Sequence, residues 1–194
     1  YMSARKLIYV FLLVILAGGA YLVGEQKLYE AIILELNKSK DSNVAENNII
    51  VATSSEAYLV TKVVDGDTIH VSKNQETIIV RFLAVNTLEK NSKSARERCL
   101  AKLQTQFTQD NLLNKNVYLI PDPTQPSQDQ YNRSLAYIAT SSNTSYFFND
   151  YLIQTGNAKA YKANPPAQRY TIYLDLQKKA QEAGIGIWDE NLCK

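Results

Sequence analysis

An Asp-Gly pair, Asp65–Gly66, stands between two β-rich runs and constrains this chain more than any other feature. Asp-Gly between such runs is a hairpin-turn signal, because the favoured two-residue turns need backbone conformations that these residues tolerate. The flanking runs are Tyr58–Val64 and Thr68-Ile69-His70-Val71, with Asp67 at the start of the second, and a third run follows at Thr77–Val85. Fourteen residues beyond Asp67 comes Arg81, inside the apolar stretch Ile79-Val80-Arg81-Phe82-Leu83, and eight further on comes Glu89. A charge in such a stretch is costly to bury without a partner. Two carboxylates (Asp67, Glu89), an amide (Asn86) and an arginine at adjoining strand ends form a set that suits a hard cation beside an anionic group. Oxygen ligands fit Ca²⁺ or Mg²⁺, and guanidinium fits phosphate. Read alone, Asp-Gly-Asp-Thr is an ordinary turn, and a strand arginine is an edge charge or half of a salt bridge.

Beyond residue 90 the pattern alternates between helix and strand. Ser92–Leu113 reads as a helix, with Ala95, Leu100, Leu103 and Phe107 at helical spacing. Asn116–Ile120 and Ser134–Thr140 read as strands on either side of a Pro-rich loop, Pro121–Gln130. Tyr146–Thr155 reads as a short helix ended by Gly156 as a cap residue. Asn164-Pro165-Pro166 is expected to open the last helix, with proline in its first turn, and that helix runs to about Ala183 and stops at Gly184. His70 is the only histidine, which excludes His-rich metal sites and argues against a Ser-His-Asp triad. The two cysteines, Cys99 and Cys193, lack zinc-like spacing. A formal net charge of +2 gives no bulk field for nucleic acid, so any such binding needs local basicity.

The N-terminal quarter has a different character. Ser3-Ala4-Arg5-Lys6 leads into Leu7–Val23, 17 residues without a charge. At 1.5 Å per residue this spans about 26 Å, close to a bilayer core. A transmembrane anchor is favoured over a cleaved signal peptide, and Gly18-Gly19-Ala20 would let another helix approach closely. Arg5 and Lys6 before the span put the N-terminus on the cytoplasm-like side and the large domain across the membrane. Gln26–Asn37 continues as a helix with an apolar face at Leu28, Ile32 and Leu36, and Lys38–Ala57 reads as a linker. The expected organisation is a transmembrane anchor over 1–24, a helical extension and linker over 25–56, and one domain over 57–194.

The domain resembles the staphylococcal nuclease (thermonuclease) family. The stretch from Asp65-Gly66-Asp67-Thr68 through Arg81 to Glu89 carries the likeness. It continues in Asp129-Gln130-Tyr131-Asn132-Arg133-Ser134-Leu135-Ala136-Tyr137, similar to the family's D-x-Y-G-R-x-L-A-Y, and closes in Gly184-Ile185-Gly186-Ile187-Trp188. The resemblance spans roughly residues 57 to 190, and the spacings from Asp67 to Arg81, Glu89 and Arg133 fit without a gap. It implies an α+β fold, a five-stranded OB-fold barrel with three helices, here preceded by a single transmembrane helix.

It also implies Ca²⁺-dependent hydrolysis of DNA and RNA. By resemblance Asp67 and Asn86 are side-chain ligands of the metal, and Thr87 offers a backbone carbonyl. Glu89 orients or deprotonates the attacking water, Arg81 and Arg133 clamp the phosphate, and Tyr131 and Tyr161 flank the nucleotide of a single-stranded DNA or RNA. Four departures stand out. Asn86 replaces an aspartate and weakens the metal site by one charge. Leu88 replaces a proline, which frees the loop carrying Glu89. Gln130 replaces a lysine. Asn132 replaces a glycine, and asparagine can keep a left-handed turn. A catalytically weakened domain serving as an accessory subunit of a membrane protein complex is therefore the alternative to a membrane-anchored nuclease. In the implied fold the chain end returns near the first long helix, so Cys99 and Cys193 form a candidate disulfide, in keeping with a domain beyond the reducing compartment. Tyr1 precedes Met2, the only methionine, as either processing of a longer precursor or truncation of the chain would leave it. The mitochondrial inner membrane is the favoured location, with a bacterial plasma membrane as the alternative. The sequon Asn132-Arg133-Ser134 inside the site makes a glycosylating route less attractive.

Overall fold

Inward and outward residues alternate at Ile69–Val71 and at Val80–Phe82, the period of two that turns one face of each strand to a core. In a computed structural model, residues 56–142 and 146–194 are described. The charge-free run at 7–23, the helical extension and the linker up to residue 55 lie outside the described residues. Among the described residues no helix is long and apolar enough to cross a membrane.

The strands are β1 (Tyr58–Asp65), β2 (Thr68–Lys73), β3 (Glu76–Phe82), β5 (Asn116–Ile120) and β6 (Ser134–Ala139), with a two-residue β4 (Val85–Asn86) and β7 (Lys159–Ala160) forming a separate ladder. The helices are α1 (Ala95–Leu112), α2 (Phe148–Gln154) and α3 (Tyr170–Ala183), followed by a short 3-10 turn over Gly186–Trp188. The barrel order is β1-β2-β3-β6-β5, closed by β1 on β5 through Tyr58 opposite Val117. Only β3 and β6 run parallel among these pairs. Five strands closed in this way, with three helices, make an OB-type barrel.

Ile69 and Val71 of β2 and Val80 and Phe82 of β3 point inward and are buried with Val60, Val117, Ile138 and Phe147. Arg81, between two inward residues, must therefore face outward. His70, half-buried on β2 opposite Ile79, is part of the barrel wall. The expected hairpin joins β1 to β2, but its turn residues are Gly66 and Asp67, with Asp65 paired to Thr68, so Asp67 lies in the turn and not in β2. A second tight turn uses Asn74 and Gln75 with φ of 50° and 70° to join β2 to β3.

Four local expectations need correction. The apolar run through Val85 is not one strand. It ends at Phe82, Ala84 turns left-handed at φ 57°, and the Leu83 carbonyl accepts from Asn149 Nδ2 at 2.9 Å. Helix α1 starts at Ala95, not Ser92, because Ser94 caps it with its hydroxyl accepting from the Glu97 N–H. Its buried face is also different: Leu103 is exposed, whereas Leu100, Ala101, Gln104, Thr108 and Leu112 are buried. Helix α3 starts at Tyr170, past the prolines. The preceding segment is instead laid onto the barrel, with Gln168 N–H donating to Asp122 Oδ2 at 2.8 Å and Arg169 N–H to the Tyr137 hydroxyl at 3.3 Å. Arg169 then pairs with buried Asp150 through Nε at 3.1 Å and Nη2 at 2.7 Å, with Phe147 under its guanidinium. Gly156 (φ 68°) and Gly184 (φ 61°) do end α2 and α3 in the left-handed conformation that glycine permits.

Candidate active site at the β1–β2 turn and the β4 segment

A connected polar cluster lies where the β1–β2 turn meets the chain leaving the barrel after β3. Thr68 pairs with Arg81 across β2 and β3, so Asp67, one residue before Thr68, lies beside the outward-facing arginine. Asp67 is 5% exposed, low enough that each oxygen needs a partner. Its Oδ2 accepts from the Thr87 N–H at 2.7 Å and the Thr87 hydroxyl at 2.9 Å. Its Oδ1 lies 3.1 Å from Arg81 Nη1 and accepts from the Thr68 hydroxyl at 3.1 Å. The second arm of the guanidinium, Nη2, donates to Asn86 Oδ1 at 2.9 Å. Asp67, Arg81, Asn86 and Thr87 thus form one connected set. Gly66 permits it: a Cβ there would stand 2.6 Å from Thr87 Cγ2 and 3.1 Å from Gln104 Cβ.

Glu89 follows two residues after Thr87. Its side chain is exposed and makes no side-chain hydrogen bond among the described residues, while its carbonyl accepts from the Ser92 N–H. Arg133 lies just before β6, which runs beside β3 with Leu135 opposite Arg81; the two-residue period brings Arg133 to the face that carries Arg81. Its Nε and Nη2 each lie 2.7 Å from Asp129 Oδ2, and Tyr131 lies 5.3 Å under its guanidinium. Burial raises the Asp129 carboxyl, but the N–H and guanidinium of Arg133 outweigh it and hold the group below the usual range. Asn132 takes φ 59°, the left-handed turn expected of it. Tyr131 and Tyr161 are 69% and 52% exposed, open enough for stacking, and the Tyr161 N–H donates to the Ala84 carbonyl at 2.8 Å. The structure joins four of the candidate residues by direct contact. Glu89, Arg133 and the two tyrosines stand on adjoining segments without touching that set.

Three participants escape a reading by composition. Asp65 turns its Oδ1 to accept the Asp67 N–H at 3.1 Å, and its carboxyl is raised to about 6, first by burial and then by the Asp67 carboxylate. Gln104 and Thr108 reach the same turns from α1. The Asp-Gly-Asp spacing was the available signal for Asp65; nothing local marked the other two.

The Asp65 shift fixes a pH dependence. The folded carboxyl keeps its proton up to about 6, against 3.8 for the ordinary group, so the folded state binds more protons in that window. Asp65 therefore costs stability as pH rises from about 4 to 6, and the cost is complete above that. Carbon NMR of the side-chain carboxyl should show a midpoint near 6, falling in Asp67→Asn. An unchanged midpoint would show that burial alone sets it.

The donor set is of the type that a hard cation takes. Asp67, Asn86 and the Thr87 carbonyl supply oxygen only, with a second carboxylate adjacent at Asp65, and such oxygens suit Ca²⁺. The Asp67 carboxylate helps to raise the Asp65 carboxyl, and neighbouring carboxylates favour a positive charge beside them. The Arg81 guanidinium places a positive charge beside Asp67 only, bridging it to Asn86. By donor type these residues fit the ion; among the described residues no three His, Cys, Asp or Glu side chains converge, and Thr68, Arg81 and Thr87 hold the Asp67 and Asn86 oxygens.

The family profile described as staphylococcal nuclease homologue matches residues 79–190. The thermonuclease of Staphylococcus intermedius is 35% identical over 135 residues, covering 69% of this chain and 77% of the relative. The thermonuclease of Staphylococcus hyicus is 29% identical over 158 residues, covering 81% and 90%. An uncharacterized endonuclease of Haemophilus influenzae is 30% identical over 135 residues, covering 68% and 66%.

Proposed function

The chain belongs to the staphylococcal nuclease family, and from that premise we propose that it is a Ca²⁺-dependent nuclease hydrolysing phosphodiester bonds of single-stranded DNA or RNA. One observation carries this reading: Asp67, Arg81, Asn86 and Thr87 meet in a single bonded cluster at the barrel rim. Asp67, Asn86 and the Thr87 carbonyl would hold the ion. Bound there, Ca²⁺ supplies positive charge against phosphoryl oxygens. Glu89 accepts the proton of the attacking water. Arg81 and Arg133 bind the oxygens of the scissile phosphate, where planar guanidinium groups oppose the charge that grows in the transition state. Tyr131 and Tyr161 offer faces on which bases stack without regard to sequence. The test is cleavage of single-stranded DNA and RNA by the purified chain with Ca²⁺ and with chelator. Absence of Ca²⁺-stimulated cleavage in a folded sample would sink the proposal.

A membrane tether through residues 7–23 completes the proposal, with the catalytic domain across the bilayer from the cytoplasm-like or matrix side. The charge-free run and the two preceding basic residues support it. So does the disulfide between Cys99 and Cys193, which suits an oxidising compartment. The mitochondrial inner membrane is the preferred site, and a bacterial plasma membrane is the alternative.

A second reading, an accessory subunit of a membrane protein complex, draws on Asn86. One ligand charge is missing, and the amide oxygen that replaces it is held by Arg81. Asn86→Asp restores the charge and should tighten Ca²⁺ binding severalfold by calorimetry, the new carboxylate's pairing with Arg81 offsetting part of the gain. Equal affinities, or no binding by either form, would place the metal elsewhere or nowhere.

A further inference from the structure

We infer that Gln104 is a positioning residue for Glu89, acting through the backbone amide of Leu88. This rests on the nuclease reading and extends it to a helix outside the bonded cluster. Gln104 sits in the middle of α1 and is 1% exposed. Its Oε1 accepts from the Leu88 N–H at 2.8 Å, and its Nε2 donates to the Asn157 carbonyl at 2.8 Å. A flipped amide would set N–H against N–H and carbonyl against carbonyl, so the two partners fix its orientation. Leu88 lies between Thr87, whose N–H and hydroxyl both reach Asp67, and Glu89. Two consecutive residues are therefore held from opposite sides, and the next one carries the proposed base. One helical turn on, buried Thr108 donates its hydroxyl to the Gly66 carbonyl at 2.7 Å. The same face of α1 grips both loops of the site.

The residue at 88 explains why a glutamine is needed. The family resemblance places a proline there, which restricts the backbone by its ring and offers no N–H. Leucine removes that restriction and adds a half-buried donor. The loop is nevertheless not freed, contrary to the expectation from sequence, because Gln104 takes the new donor and restores the restraint from outside the segment. An ordinary buried glutamine would also satisfy its amide, so the distinguishing consequence is coupling to residue 88 in the rate of chemistry.

The experiment is a double-mutant cycle on the full-length chain with Ca²⁺ and single-stranded DNA. Gln104→Met should lower kcat by roughly 10²-fold, the scale of a misplaced catalytic group, with KM little changed. In a Leu88→Pro background the same substitution should cost only a few-fold, since no N–H is left to hold. Native-state hydrogen exchange should find the Leu88 amide protected in the wild type and exposed in Gln104→Met. If Gln104→Met does not fold, Gln104→Asn keeps the amide but is one methylene too short to span both partners, and it should show the same kcat loss. An equal loss with and without Leu88→Pro, or an unchanged kcat beside a lowered melting temperature, overturns the inference. A wild type that does not cleave overturns the nuclease reading and the catalytic role together. Exchange at Leu88 would then still show whether the tether itself exists.

Discussion

Replacing Glu89 by alanine should lower Ca²⁺-stimulated cleavage by roughly 10²-fold or more, the usual scale for loss of a general base. The expectation follows from the side chain's surroundings. Asp65, Asp67 and Asp129 are each committed to donors within the fold, through Asp67 N–H, Thr87 and Arg133 respectively. Glu89 alone among the candidate carboxylates is exposed and has no side-chain hydrogen bond among the described residues. It is free to take a proton from water. Because no described residue leans on this side chain, truncating it should leave the melting temperature within experimental scatter. The loss should fall on kcat, with KM nearly constant, since the phosphate clamps and stacking tyrosines are untouched. Activity unchanged in Glu89→Ala would sink the assignment of the base. No cleavage by a folded wild type at millimolar Ca²⁺ would favour the accessory-subunit reading instead.

Much of the barrel was legible because its signals are local. Ile69 and Val71, or Val80 and Phe82, declare an inward face by a period of two that any strand must obey. Asp65–Gly66 announces a turn whose glycine makes room for Thr87, and Asn132 announces one by tolerating a left-handed backbone. The features that escaped are those in which tertiary contacts override local preference. Ala84 adopts a left-handed conformation to end β3 because the Leu83 carbonyl is claimed by Asn149 and the Ala84 carbonyl by Tyr161. The two-residue β4–β7 ladder is too short for any periodicity to reveal. In α1, apolar spacing pointed to Leu103, yet the helix buries Gln104 and Thr108 because two loop segments need partners there. The prolines before α3 look like a helix start, but Asp122 and Tyr137 bind the segment that follows and delay the helix to Tyr170. At the site, the chain order of Asp67, Arg81, Asn86 and Thr87 could be read from residues. Their mutual bonding, and the part of Asp65 in it, required the strand register.

Reducing the bond between Cys99 and Cys193, or replacing both by serine, should destabilise the domain by roughly 4–5 kcal/mol, less any strain released. The two residues are 94 apart in sequence, and their Cα atoms stand 5.9 Å apart in the fold. A crosslink closing so long a loop removes a large share of the unfolded chain's freedom, which is the main source of its stabilising effect. At the size of this domain, that loss corresponds to a fall in melting temperature of roughly 10–20 °C. The bond also has a local role. It ties the chain end to the first turns of α1, where Arg96 Nη2 donates to the Asp189 carbonyl at 2.8 Å. Lys159 lies 5.6 Å over the neighbouring Trp188 ring, and Lys159 pairs with Asn86 in the β4–β7 ladder. Releasing the tail therefore loosens packing that abuts the ladder without removing any proposed catalytic group. The expected pattern is a large thermal shift with modest loss of cleavage at low temperature. Mass spectrometry of the unreduced chain provides the prior check. Two thiols that alkylate without reductant would remove the bond, and with it the support it lends to a domain on the oxidising side of a membrane. A melting temperature insensitive to reductant in a protein shown to carry the bond would mean that the unfolded chain is already compact around it.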